Sequence, residues 1–414
     1  MIILKGIGTT PFMGVGRVKK IETLSDLLQL DGGEVVVISR ASRDMSSHLQ
    51  RAGAVVTDYG GLTSHVAIIL REMKVACVMG TEKATQVLKN GDIVTVDGKT
   101  GNIYDGFMEL DEEEKNIKTL YRPAASVKVN LNIPEIAWKV APIADGVGSI
   151  RIENLIIRTG KHPKKLQEKG ELEKVISDGV RIIAEAFHPK MVYFRTFDIP
   201  TDELRGLAGG SVELHEKNPL LGMRGIQKDL QNQDILESEF RAVMRLLDEG
   251  YDNLGIKIPF VRDLSEYQAV KAVMVQMGLT PHRDIPLGIA LETPSSFLCF
   301  DEFQNEGLDF VTLGLSDLTM CTLAVDRRGV RVAKHFQLMH PAMWKMLEEV
   351  IQKCNYHGIE SCVCGHASSN PTIVKKLLNL GVNSISTNPD QILKMLKVVA
   401  LTENSFLQKY FKTN

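Results

Sequence analysis

The chain has 414 residues, 44% of them hydrophobic and 24% charged, with a formal net charge of −2. That length holds two or three domains with proper cores; the near-neutral charge argues against a nucleic-acid partner, and the lack of eighteen consecutive apolar residues argues against a membrane span. Six cysteines in so long a chain do not make a disulfide framework, no CxxC pair suggests zinc, and the apolar start turns too soon to glycine for a signal peptide, so a cytoplasmic location is expected.

Short β-runs with glycine turns fill residues 1–108, with strands expected at 14–18, 34–38, 54–57, 76–79 and 92–96. Gly6-Ile7-Gly8 and Gly14-Val15-Gly16 read as turns and close packing, because neither lies between a strand and a helix as a nucleotide loop would. After the strand at 54–57, Gly60-Gly61 lets the chain reverse, Thr63 or Ser64 caps a helix, and His65 falls in its first turn. The positive helix end disfavours imidazolium and keeps that ring nucleophilic. Free backbone N–H groups there would stabilise a phosphate attached to it. Such a histidine suits accepting and passing on a phosphoryl group, although an isolated histidine at that position is more often a plain capping-region residue.

Residues 109–126 carry Glu109, Asp111, Glu112, Glu113 and Glu114, then Arg122-Pro123, and read as a solvated linker between domains. Beyond it the pattern alternates strand and helix. Strands are expected at 127–133, 146–152, 191–196, 254–260, 287–292, 310–317, 360–365 and 384–388, with amphipathic helices at 166–187, 235–249, 264–278, 341–357, 371–381 and 390–401. Eight such units over residues 127–414 predict a closed (β/α)8 TIM barrel rather than an open three-layer sheet.

In a barrel the chemistry belongs at the C-terminal strand ends, which here offer Arg151, Arg195, Lys257, Glu292, Asp317 and Cys364. Cys362 and Cys364 are expected on opposite faces of one strand. Arg224, in Gly222-Met223-Arg224, and Arg327 flank turns beside the rim, while Arg328 reads as solvated surface. A salt bridge such as Arg151 with Glu292 would explain one pair, not the thiol or the excess of arginines. Arginines grip phosphate and carboxylate. Two carboxylates make a hard oxygen site of the kind magnesium prefers. The ligand implied is small and carries both a carboxylate and a phosphate, and a thiol at the rim could give a proton to carbon.

These residues carry a resemblance that covers nearly the whole chain. Gly60-Gly61-Leu62-Thr63-Ser64-His65-Val66-Ala67 and Gly314-Leu315-Ser316-Asp317-Leu318-Thr319, running on to Asp326-Arg327, resemble the two signatures of the phosphoenolpyruvate-utilising enzymes. The resemblance implies an α/β chain with a swivelling phosphohistidine domain before the barrel. His65 would carry the phosphoryl group, steadied by Thr63, and Arg151, Arg195, Arg224 and Arg327 would clamp phosphoenolpyruvate or pyruvate. Glu292 and Asp317 would bind Mg2+, and Cys364 would protonate carbon three of the enolate. Ser316 stands where the family usually has Asn, next to the substrate phosphate. Met320 and His366 also depart from the usual residues. The dikinases' ATP-grasp domain has no counterpart in this sequence, so a separate ATP-binding subunit or phosphoacceptor protein is expected, together with homodimerisation through the barrel. Two other readings are a phosphocarrier to another acceptor and a non-catalytic phosphoenolpyruvate or pyruvate sensor.

Overall fold

The computed structural model of the chain describes residues 1–22, 26–27, 30, 33–41, 45, 49, 52–61, 65–73, 75–106, 123–326 and 331–413, without the side chains of residues 65, 68, 72, 333, 366 and 409–413. The chain divides into two compact units, Met1–Asp111 with Ile157–Gly160, and Glu112–Ile156 with Lys161–Asn414. Most of the charged stretch expected as a linker lies outside the described residues.

In the first unit eight strands make one sheet: β1 (Ile2–Lys5), β2 (Ile7–Gly8), β3 (Met13–Lys20), β4 (Val35–Arg40), β5 (Ala54–Tyr59), β6 (Ala76–Met79), β7 (Ile93–Asp97) and β8 (Asn102–Asp105), in the order β1-β8-β7-β3-β4-β5-β6-β2. Strands β3 to β6 run parallel. Burial on both faces explains why Val35 to Ile38 in β4 and Ala54 to Val56 in β5 are continuously apolar. Strands β1, β2 and β8 escape the sequence reading because they are short and partly exposed, leaving no period to read. Between β5 and β6 the helix His65–Glu72 buries Val66, Ala67 and Leu70 against Val36, Val55, Cys77 and Met79. Gly60 has φ +140°, and a Cβ there would lie 3.0 Å from Met79 Sδ, so the turn requires glycine.

The second unit is the expected barrel. Its strands are β9 (Ser126–Leu131), β10 (Val147–Arg151), β11 (Val192–Arg195), β12 (Leu254–Ile258), β13 (Leu287–Leu291), β14 (Phe310–Leu313), β15 (Glu360–Val363) and β16 (Ser384–Thr387), closed in sequence order by β16 pairing β9. Every neighbouring pair is parallel. Intervening helices bury one stripe each, as Leu172–Phe187 does with Ile176, Val180, Ile183 and Phe187.

Two expectations about local structure need correction. The helix expected over 166–187 is two, Pro163–Glu168 and Leu172–Phe187, separated at Gly170 with φ +67°. The strand expected over 310–317 ends at Leu313, and Leu315–Leu323 is helical. The apolar run hides the change of period, since Leu315, Leu318 and Thr319 are buried at helical spacing.

The barrel interior is polar where branched apolar side chains usually fill it. At the level of Glu360, its carboxylate accepts from Lys128 Nζ, from Tyr193 OH at 2.6 Å and from Ser384 Oγ at 2.7 Å. At the next level, Ser386 Oγ donates to Asn130 Oδ1 at 2.7 Å, beside Gly148 and Cys362. Cys364 follows two residues further along, at the mouth.

Candidate active site at the barrel mouth

Strand register puts Arg151 opposite Arg195 and Arg195 opposite Lys257, a row of three cations at the C-terminal ends of β10, β11 and β12. Directly opposed like charges destabilise a sheet unless anions intervene. For Arg195 two anions do: Nη2 pairs with Glu153, and Nη1 donates to Asp198 Oδ2 at 3.2 Å. Asp198 also receives a two-pronged contact from Arg224, with Nε on Oδ1 at 2.8 Å and Nη2 on Oδ2 at 2.6 Å. Arg224 Nη1 then reaches Asp317 Oδ1 at 3.4 Å. Arg195, Arg224 and Asp317 are thus joined through Asp198, and all but the half-shielded Arg195 are buried. Burial alone would raise the Asp198 pKa. Arg224, then Arg195 and Arg151, outweigh it and hold the carboxylate charged, well below its usual range.

Arg151 is different. It is exposed and, among the described residues, has no hydrogen bond or ion pair. The Arg151–Glu292 bridge considered from sequence does not form. A guanidinium standing free beside a neutralised arginine network keeps its fork of donors for an incoming anion.

Glu292, just beyond β13, is buried, and its Oε2 accepts from the backbone N–H of Phe260 at 2.9 Å. Burial raises its pKa, as do the charges of Asp317 and Asp198; Arg195 and Arg224 pull the other way. Phe260 holds the unusual φ of +54°, and its ring stacks under Arg224 at 4.4 Å and Arg262 at 4.9 Å. Asp317 sits in the first turn of the helix Leu315–Leu323 rather than at a strand end. There the helix dipole favours its charge. Gly314 precedes that helix, and a Cβ on it would lie 2.4 Å from Glu292 Cγ. Only glycine leaves room there for the Glu292 side chain.

Cys364 lies beyond β15, half-exposed, with Sγ 3.9 Å from the Leu313 carbonyl. Cys362 is fully buried, and burial pushes its thiol up to about 12. The two do not occupy opposite faces. Residues two apart in a strand share one, and both thiols act on the charge of Lys257. Ser316 is partly exposed in the same first turn as Asp317, and Met320 is buried one turn on. Thr63 and Arg327 lie outside the described residues. So do the side chains of His65 and His366, although the backbone of His65 belongs to the helix His65–Glu72.

The sequence reading missed Glu153, Asp198 and Phe260. Asp198 follows Arg195 by three residues in a loop, a spacing that could have flagged an ion pair. Nothing in the sequence marks Glu153 or the backbone donor of Phe260.

Residues 109–404 match the family model described as "PEP-utilising enzyme, PEP-binding domain", and residues 30–101 match "PEP-utilising enzyme, mobile domain". The chain is 41% identical over 413 residues to a probable phosphoenolpyruvate synthase of Archaeoglobus fulgidus, covering 98% of this chain and 55% of that one. It is 39% identical over 417 residues to the phosphoenolpyruvate synthase of Pyrococcus furiosus, covering 97% of this chain and 51% of that one. A probable phosphoenolpyruvate synthase of Methanocaldococcus jannaschii is 46% identical over 358 residues, covering 84% of this chain and 30% of that one. The chain spans about half the length of the first two of these relatives. Among the described residues no helix is long and apolar enough to cross a membrane.

Proposed function

The chain belongs to the phosphoenolpyruvate-utilising enzymes, and on that footing we propose that it moves a phosphoryl group reversibly between His65 and the enolate oxygen of pyruvate. The observation that carries this reading is the barrel mouth itself, where Arg195, Arg224, Asp317 and Asp198 interlock beside Glu292 and a free Arg151. Arg151 meets the phosphate, the network behind it fixes Arg195 and Arg224 for the carboxylate and enolate, and Arg327 completes the clamp. Ser316 offers a hydroxyl at a helix N-terminus, suited to a phosphate oxygen but with less reach than a longer amide. Cys364 supplies the proton to carbon three. His65 is delivered to the mouth by movement of the first domain, residues 1–108, on a linker, residues 109–126, that leads into the barrel, residues 127–414.

The donor set fits a divalent cation. Two carboxylates of hard oxygens, Glu292 and Asp317, are pushed together without a third His, Cys, Asp or Glu among the described residues, which leaves coordination positions for substrate and water. Bound Mg2+ would neutralise charge on the transferring phosphoryl group and the enolate. Its removal has a thermal signature. The folded pKa of Glu292 lies above its unfolded value, so stability is lost as pH rises through that interval. A cation recovers the loss. Mg2+ should therefore raise the melting temperature clearly at pH 8, by about 2–4 °C per kcal/mol recovered, and little at pH 5. Glu292→Gln should erase the response. Equal shifts at both pH values would argue against this pair as the ligands.

Incubation with phosphoenolpyruvate and Mg2+ tests the whole reading. Acid-labile phosphate should appear on His65 with release of pyruvate, and His65→Ala should show neither. Labelling that needs ATP and a second polypeptide identifies a split dikinase. Labelling by phosphoenolpyruvate, discharged by another protein, identifies a phosphocarrier. Tight binding of phosphoenolpyruvate with no label at all would leave only the sensor. Homodimerisation through the barrel is part of the proposal and is read by sedimentation.

A further inference from the structure

Three consecutive residues leave β11 for the mouth, and each is held by a buried carboxyl group. Thr196 Oγ1 donates to Asp229 Oδ2 at 3.0 Å, the Phe197 N–H to Glu239 Oε2 at 3.2 Å, and the Asp198 N–H to Glu153 Oε1 at 3.0 Å. All three acids are buried, Glu239 completely. Glu153 pairs with Arg195. Among the described residues neither Asp229 nor Glu239 forms an ion pair, and Glu239 Oε1 meets no hydrogen-bond partner. A bare carboxylate so placed is costly. Burial raises both carboxyls well above the usual carboxylate range. Asp198 and Glu153 add to the shift at Asp229, and Asp229 and Glu153 add to it at Glu239, while Thr196, Lys228 and the Phe197 N–H oppose it. Neutral acids accept from the loop without drawing Arg195 and Arg224 away from the mouth.

The two acids come from helices that follow Arg224. Asp229 lies in Ile226–Gln231, which begins two residues after that arginine, and Glu239 lies in the next helix, Gln233–Asp248. Gly225 stands between Arg224 and the first helix. A Cβ on it would lie 2.7 Å from Phe260 Cβ and 3.5 Å from Asp198 Oδ1, so this segment has little slack. The Thr196–Asp229 bond thus joins the residue after Arg195 to the helix after Arg224. We infer that Asp229 and Glu239 are positioning residues for the substrate clamp, pinning Thr196 and Phe197 so that Arg195 stands in register with Arg224 at the mouth. The inference rests on the reading of Arg195 as part of that clamp. Both acids act through the loop rather than on the substrate. Apolar side chains in their place would leave the Phe197 N–H and the Thr196 hydroxyl without a fixed partner.

The test measures phosphoenolpyruvate affinity with Mg2+ by calorimetry, and melting temperature, on the same preparations. Glu239→Leu removes the acceptor for Phe197 and should bind about tenfold more weakly, roughly what one net hydrogen bond contributes. Glu239→Gln keeps a neutral acceptor of the same shape and should recover affinity to within about threefold of wild type. Arg195→Lys keeps the charge but loses the fork, and should itself bind at least about tenfold more weakly. Adding Glu239→Leu to it should weaken binding by less than about twofold more, because no fork is left to align. Should Glu239→Leu misfold, Thr196→Val repeats the measurement. It keeps the shape, removes only the hydroxyl that donates to Asp229, and should lose about fivefold in affinity. A lower melting temperature with affinity within about twofold of wild type would make the acids merely structural and overturn the inference. So would a Glu239→Gln protein as weak as Glu239→Leu, or an undiminished effect of Glu239→Leu on top of Arg195→Lys. Wild-type affinity in Arg195→Lys alone overturns the reading of Arg195 as a clamp, and the positioning role with it.

Discussion

Asp198→Asn is expected to destabilise the barrel by about 3–5 kcal/mol at pH 7, the usual cost of stripping a buried ion pair of one partner, and to silence turnover. The carboxylate is the joint between two buried or nearly buried guanidiniums: Arg195 donates to it at 3.2 Å, and Arg224 donates twice, at 2.8 and 2.6 Å. Asparagine keeps the shape and one acceptor but removes the charge both arginines answer. The sign of the pH effect follows from the depressed pKa of Asp198. Its contribution is fully present above the ordinary aspartate value of about 3.9 and is lost as pH falls through the lower folded value. Wild type and variant should therefore converge in strong acid. Urea unfolding at pH 7 and below pH 4 reads both parts. A variant within about 0.5 kcal/mol of wild type at pH 7 would mean that the arginines find equivalent partners without Asp198.

The same network shows how far the sequence could be read. All eight barrel strands were legible to within a few residues, because parallel strands buried on both faces appear as apolar runs and the intervening helices keep their 3.6-residue period. The rim residues were legible too, since a charged residue closing an apolar run stands out. What stayed hidden was pairing. Asp198 lies in a loop and Glu153 opens the short helix Glu153–Ile157, and their value comes from pairing with Arg195 and Arg224 on other parts of the rim. Asp317 was expected at a strand end and stands on a helix instead. Its strand stops at Leu313, and the side chain is aimed instead by a helical turn whose apolar residues imitate a continuing strand. Lys257 was noticed only as a cation at a strand end. That it is wholly buried is a property of the closed barrel, across which its Nζ reaches the Gly148 carbonyl of β10. The helix after the glycine turn was legible, and residues His65–Glu72 are helical; the cap expected at Thr63 or Ser64 lies outside the described residues.

Cys364→Ala should lower net formation of pyruvate from phosphoenolpyruvate by at least about 100-fold, within the range typical for loss of a general acid, while phosphoenolpyruvate binds within a few fold of wild type. The split between rate and affinity follows from position. The thiol is half-exposed at the mouth, and the weak contact of its Sγ with the Leu313 carbonyl at 3.9 Å ties it to the wall rather than to the arginine clamp. Removing it leaves Arg151, Arg195 and Arg224 where they were, so binding energy is retained and only the proton is missing. The neighbouring thiols do not replace it readily. Cys362 lies deeper and is held near 12 by burial, and Cys321, facing Asp317 and Glu292, is pushed up to about 11 by burial first and then by Asp317. Both are therefore poorly matched to exchange protons near neutrality. Rapid-quench measurement of pyruvate and calorimetry of phosphoenolpyruvate binding, made on the same preparation, separate the two effects. Turnover persisting within tenfold of wild type would move the acid to another ionisable group at the mouth. A parallel collapse of binding would instead make Cys364 part of the wall that shapes the site, and the proton would then have to come from elsewhere.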